Sequence, residues 1–196
     1  MLIIACNAGA SQDLPVYYDF PAFSLTDQMG RTVTRDDMEG RVVLANFIFT
    51  NCTEYCLVLT PRMQQMQARL EDEGNLGNDV LLLSFSVDPE HDTPELLRTY
   101  AESYGANHDA WRFLTGPQDE VYQVITDGLK LAYGEVEQRT EHTHEDGSVH
   151  VHEYDVFHTS RVVLADREGM VRAYYDGALD WDAEAVLKDI RSLLNP

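Results

Sequence analysis

Two cysteines four residues apart, Cys52 and Cys56, are the groups whose type and spacing most directly allow chemistry in this chain. They follow Val42-Val43-Leu44-Ala45-Asn46-Phe47-Ile48-Phe49, an apolar, β-branched and aromatic run that reads as a buried strand. Beyond them, Leu57-Val58-Leu59, Met63, Met66 and Leu70 keep a helix-like apolar spacing, so a strand runs into a helix across the pair. At a helix start, residues i and i+4 share a side, and the backbone N–H groups there favour thiolate over thiol. Two adjacent, accessible thiols suit a redox-active disulfide or a soft metal ion; a pair of buried apolar cysteines is the alternative. Glu54, between them, opposes thiolate formation when no metal is bound, and a bound cation reverses that penalty.

Imidazoles supply the second donor type. Seven histidines occur, five of them between positions 142 and 158. His158 sits in Tyr154-Asp155-Val156-Phe157-His158-Thr159-Ser160, just before an apolar run at 162–165. Two thiolates and one imidazole make a three-coordinate site for Cu(I), with room for a further weak ligand when the ion is Cu(II); zinc accepts the same donors. Read locally, His158 is equally a turn or core residue. His142, His144, His150 and His152 lie in the one biased segment, 141–153, and register decides whether they form a secondary site for copper or zinc. A three-residue loop, Asp146-Gly147-Ser148, sets His144 opposite His150 and His142 opposite His152, with all four on one face. A two-residue Asp146-Gly147 turn sends the two pairs to opposite faces. His91 and His108 read as loop histidines.

The elements that must position these groups alternate. Residues 14–41 hold short extended pieces around a turn at Asp27-Gln28-Met29-Gly30-Arg31, a small N-terminal hairpin, and then a brief helical turn at 36–40. Val80-Leu81-Leu82-Leu83-Ser84-Phe85-Ser86-Val87 is a second strand covered on both faces, stopped by Asp88-Pro89. Thr93-Pro94-Glu95 caps a helix whose apolar stripe is Leu96, Leu97, Tyr100 and Tyr104. A short strand at 111–116 precedes a helix over 117–131, with Val121, Val124, Ile125 and Leu129 inward. A hairpin follows at 162–175, and a last helix at 182–194 turns Val186, Leu187, Ile190 and Leu193 to the sheet. This order gives a three-layer α/β domain, and a thioredoxin-like sheet fits because its central strand delivers a cysteine pair to a helix N-terminus. In such a sheet the loop leading into the 162–165 strand lies beside the cysteine helix. Thioredoxin-type enzymes place a cis-proline there; this chain offers His158.

With 196 residues, 44% of them hydrophobic, the chain reads as one domain over 14–196 with a full core. A formal net charge of −20 argues against nucleic acid and favours cations or basic protein patches as partners. Met1-Leu2-Ile3-Ile4-Ala5-Cys6 is too short to span a bilayer. It resembles the end of a bacterial lipoprotein signal, with Cys6 as the lipidated residue and the rest of 1–13 as tether. That reading places the domain outside the cytoplasm, anchored to the cell membrane, where a thiol pair meets oxidant.

Four motifs in order carry a family resemblance: 46–56 with its Cys-x-x-x-Cys, Ser86-Val87-Asp88-Pro89-Glu90-His91-Asp92-Thr93-Pro94-Glu95, Trp111 with Phe113-Leu114-Thr115-Gly116, and Val156-Phe157-His158-Thr159. From about Phe23 onward the chain resembles the Sco (SCO1/SenC) family of thioredoxin-fold copper proteins, which help assemble the binuclear copper centre of respiratory oxidases. The resemblance implies Cys52, Cys56 and His158 as copper ligands, and the copper-centre subunit of cytochrome c oxidase as recipient. Two departures stand out. Thr53 and Leu57 follow the cysteines where the family has proline, which stiffens the loop. Phe157 stands where the family tends to place aspartate, and Asp155 has the wrong parity to replace it on an extended segment. Three rival readings keep the same fold. One is a thiol–disulfide oxidoreductase using Cys52 and Cys56, recycled by a thiol reductant protein. A peroxidase is a second, although Thr50 lies two rather than three positions before Cys52. A scaffold role is the third.

Overall fold

The computed structural model describes residues 14–52, 56–131, 133–136, 140–143, 149–152 and 155–195; for the strands between 133 and 158 the description is of backbone pairing. Segment 1–13 with Cys6, and Glu54, lie outside the described residues. In chain order the elements are β1 (Ser24–Asp27), β2 (Thr32–Thr34), a 3-10 turn (Arg35–Met38), β3 (Val42–Ile48), α1 (Cys56–Asp72), β4 (Val80–Ser86), α2 (Pro94–Ser103) and β5 (Trp111–Thr115). There follow α3 (Gln118–Tyr122), β6 (Tyr133–Val136), β7 (Thr140–Thr143), β8 (Val149–His152), β9 (Asp155–His158), β10 (Arg161–Ala165), β11 (Val171–Asp176) and α4 (Ala183–Leu194).

Seven strands form one sheet in the order β11-β10-β3-β4-β5-β1-β2. The three inner strands β3, β4 and β5 run parallel, and β10 lies antiparallel against β3. Every residue of β3 and of β4 is buried, which is why both read as near-continuous apolar runs, broken only by Asn46, Ser84 and Ser86. Alternation splits the core into two layers. Val42, Leu44 and Ile48 face a cluster with Leu59, Met63, Met66 and Leu70 of α1, Leu97 of α2, and Val186, Leu187 and Ile190 of α4. Val43, Ala45 and Phe47 face the other, with Phe20, Phe23, Val121, Val124, Ile125 and Leu129. Full burial of each such large apolar side chain contributes about 2 kcal/mol before entropy is counted.

One local device closes two hairpins. Asp27 Oδ1 accepts from the N–H groups of Met29 and Arg31, both at 2.9 Å, and Asp166 Oδ1 accepts from Glu168 at 3.1 Å and Met170 at 2.8 Å. Each turn reverses through a glycine at positive φ, Gly30 at 76° and Gly169 at 78°. Each aspartate also holds an arginine at 2.7 Å, Arg31 and Arg172 respectively.

Three details differ from the sequence expectation. The inward stripe of α1 falls at 59, 63, 66 and 70, so Leu57 and Val58 fall off it and are exposed. Leu96 is likewise exposed, and Leu97 alone of that pair enters the core. The 117–131 helix widens after Tyr122 into a π-type turn over Gln123–Gly128, closed by the Leu129 N–H on the Val124 carbonyl at 2.9 Å. The wider turn keeps Val124, Ile125 and Leu129 all buried.

Candidate metal centre

The β3 strand ends at Ile48, and the chain turns through Phe49, Thr50 and Asn51 to Cys52, whose N–H donates to the Phe49 carbonyl at 3.2 Å. The described part of helix α1 starts at Cys56, and Cys52 itself lies outside that helix. The Cys56 N–H, at that N-terminus, donates to Cys52 Sγ at 3.3 Å. A backbone N–H aimed at sulfur stabilises negative charge there, whether the sulfur is a bare thiolate or one holding a metal. The two side chains are not equally accessible, as the spacing had suggested: Cys52 is half-buried, while Cys56 is 1% exposed. Hydrogen bonding to Cys52, then burial, pushes the Cys56 thiol well above its usual range. Both residues are present as thiols. Their contact makes a disulfide and a shared soft ion equally natural products.

A buried carboxylate fixes the loop that carries them. Because β3 and β4 are parallel in register, with Ile48 opposite Ser86, both strands deliver their following loops to one end of the sheet. Val87 N–H donates to the Ile48 carbonyl at 2.8 Å. Asp92, 1% exposed, then accepts from Thr50 N–H at 3.2 Å, Thr50 Oγ1 at 2.5 Å and Ser86 Oγ at 2.6 Å. Burial raises the Asp92 carboxyl above the usual carboxylate range, against the lowering effect of the Ser86 and Thr50 hydrogen bonds. Around it, Ser86 Oγ accepts the Asp88 N–H at 3.1 Å, and Asp88 Oδ1 pairs with His91 Nδ1 at 2.8 Å. The segment also stops β4 and opens α2: Thr93 accepts the Leu96 N–H at 3.3 Å, with Pro94 as first helical residue. That capping role is legible in the sequence; the link from Asp92 to the cysteine loop is not. An acid at 92 and a hydroxyl at 50 were its only signals. His91 and His108 are loop residues, His108 Nδ1 lying 3.2 Å from Gln28 Nε2.

The third sequence-predicted ligand arrives on β9 and the start of β10. Since β10 runs antiparallel to β3, with Val163 opposite Ala45, its beginning lies at the same end of the sheet as the end of β3. The Gly177 N–H donates to the Ser160 carbonyl at 2.8 Å, and Gly177 wedges between that carbonyl and α1. A Cβ on Gly177 would lie 2.3 Å from Leu59 Cδ2 and 2.8 Å from Ser160 O. The chain just after His158 is therefore packed against the first turns of the cysteine helix. His158 itself closes β9, opposite Tyr133, three residues before Arg161, a reach of roughly 10 Å. Among the residues whose side chains are described, no three of His, Cys, Asp and Glu gather as a metal cluster.

The remaining histidines take a register that neither sequence alternative gave. β7 and β8 pair with His142 opposite His150, Glu141 opposite Val151 and Thr140 opposite His152. His142 thus faces position 150, two residues from the expected 152. A shift of two leaves the face of every residue unchanged, so positions 142, 150 and 152 share one side of the ribbon. His144 lies outside the described residues. Among the described residues, no helix is long and apolar enough to cross a membrane.

A family model described as SCO1/SenC matches residues 18–195. The chain is 32% identical over 193 residues to the SCO1 protein homolog of Bacillus subtilis (strain 168), covering 98% of this chain and 91% of that relative. It is similar to the solved structure of BsSco, a member of the Sco family of cytochrome c oxidase assembly proteins in which a disulfide switch was identified. There the identity is 31% and the TM-score 0.74, covering 94% of this chain and 99% of that one. ScoI of Bradyrhizobium japonicum, solved with copper bound, shares the fold at 24% identity and a TM-score of 0.65, covering 89% and 98%. The chain belongs to the SCO1/SenC family of thioredoxin-fold copper-binding assembly factors.

Proposed function

We propose that this protein is a metallochaperone that takes up one copper ion as cargo through Cys52, Cys56 and His158 and passes it to the copper-centre subunit of a respiratory oxidase. The observation that carries the reading is the thiol pair at the end of the sheet: a half-buried Cys52 receiving the Cys56 N–H, beside a buried Cys56. Two soft sulfurs and the imidazole of His158 would suit Cu(I) in three-coordination, and a further weak ligand would suit Cu(II). Each thiol gives up its proton on loading, and the helix N-terminus and the metal then share the task of stabilising the sulfur charge. Supporting the oxidase as destination, a relative of similar length belongs to a family of cytochrome c oxidase assembly proteins. The net charge of −20 suits a recipient with a basic docking face. Lipid on Cys6 would tether the domain outside the cytoplasm, and intact-mass analysis of natively expressed protein reads that modification directly.

The contact between the thiols favours one second reading, supported by the disulfide switch of BsSco. Cys52 thiolate attacks a partner disulfide, Cys56 displaces the mixed disulfide, and the partner leaves with two thiols while Cys52–Cys56 becomes the disulfide. A thiol reductant protein must then supply two electrons and two protons to restore the pair. Complementation of a deletion strain under copper limitation separates the readings. Rescue of oxidase activity by excess copper is the result expected for metal delivery. A defect that ignores copper and yields to added reductant would overturn it in favour of thiol exchange.

A further inference from the structure

We propose that the β7–β8 ribbon is a second metal site, formed at positions His142, His150 and His152 and selective for a borderline divalent ion. The pairing places residue 142 directly across from residue 150, with 152 one pleat further along the same face. Directly opposed residues of an antiparallel pair have Cβ atoms about 4.5–5.5 Å apart, and their diagonal neighbours lie about 7–8 Å away. Three imidazole-bearing positions within that span are the arrangement that a single ion needs. Thr140, opposite His152, completes this face. Positions 141, 143, 149 and 151 register on the other face.

The site is distinct from the thiol pair in both place and chemistry. β7 and β8 form a two-stranded sheet of their own, whereas His158 closes β9, which pairs with β6. Imidazoles without thiolate favour Cu(II) and Zn(II) over Cu(I), with Cu(II) the tighter of the two. The strongly negative charge of the chain raises the local concentration of either cation.

The test uses the full chain carrying Cys52→Ser, Cys56→Ser and His158→Ala, so its outcome is independent of the copper-delivery reading. Zn(II) and Cu(II) are titrated into this protein by calorimetry, and then into the same protein with His142→Ala, His150→Ala and His152→Ala added. The expected result is one bound equivalent in the first protein and its loss in the second. Nitrogen hyperfine structure is expected in the Cu(II) electron paramagnetic resonance spectrum of the first. A parallel variant with His91→Asn and His108→Asn should keep the bound equivalent. Circular dichroism checks that each variant is folded. Equal residual binding with and without the three ribbon histidines, or an oxygen-only Cu(II) spectrum, would overturn the site and assign the binding to surface carboxylates.

Discussion

At the cysteine end of the sheet, Thr50 meets a buried carboxylate 42 residues further along the chain, and the loop bearing Cys52 is fixed by the core beneath it. Along the β7–β8 ribbon the order is local, with residues 8 and 12 apart paired across two short strands that join no other sheet. The first region depends on long-range parallel register and fixes a few atoms tightly. The second depends on hairpin register alone, which sets which positions share a face. A soft ion at two sulfurs needs the former, whereas a divalent ion among imidazoles tolerates the latter.

The largest break in that contrast is expected from Asp92→Ala. It leaves the Thr50 N–H, the Thr50 hydroxyl and the Ser86 hydroxyl without their buried acceptor, at a cost of about 2–4 kcal/mol in denaturant unfolding. Amide exchange should accelerate at 50–52 and stay unchanged in the ribbon. A loss under about 0.5 kcal/mol would mean that the carboxylate does not fix the loop. Next comes Gly177→Ala, whose new methyl would collide with Leu59 and the Ser160 carbonyl. Overpacking there costs about 1–3 kcal/mol, readable as a lowered thermal midpoint.

A smaller, pH-dependent effect separates Asp92→Asn from the parent. The folded-state pKa of Asp92 is raised above the ordinary 3.8, so between those two values the folded protein holds a proton that the unfolded chain has lost. Stability from this group is present below 3.8 and is lost as pH rises through the folded value. The parent's stability relative to Asp92→Asn should therefore fall as pH rises from 4 toward neutrality. A relative stability of the parent that instead rises with pH in paired unfolding curves would show that the ionised carboxylate is the preferred buried form. Smallest is His91→Asn. Its pairing with Asp88 raises the His91 pKa above 6.5, so its contribution is full below 6.5 and fades above the raised value. With the imidazole 56% exposed, solvent screening leaves about 0.3 kcal/mol, detectable as a difference between pH 5.5 and pH 8.5.

The strands and helices that carry these groups were legible because their signals are local. Seven consecutive buried residues in β3 and again in β4 read as apolar runs, and Thr93-Pro94 reads as a helix opening. Cys52 and Cys56 stood out for the same reason. What could not be read depends on pairing. Asp92 looked like one more polar residue in a strand-to-helix loop until parallel register brought Thr50 to it. The burial of Cys56 follows from where α1 rests on the sheet, which the cysteine spacing by itself does not give. In the ribbon, turn chemistry offered two registers and the strands took a third, two positions from one and one from the other.

Copper binding by four proteins tests the central claim most directly: the parent chain, Cys52→Ser, Cys56→Ser and His158→Ala. Each is titrated with Cu(I) against a competing chelator, then loaded with Cu(II) for its absorption spectrum. Ligation by these three residues predicts one tightly held Cu(I) per parent chain, loss of that ion with either cysteine change, and weaker binding with an altered sulfur-to-copper band in His158→Ala. Unchanged affinity and spectrum in His158→Ala, or tight Cu(I) retained without the thiols, would contradict it.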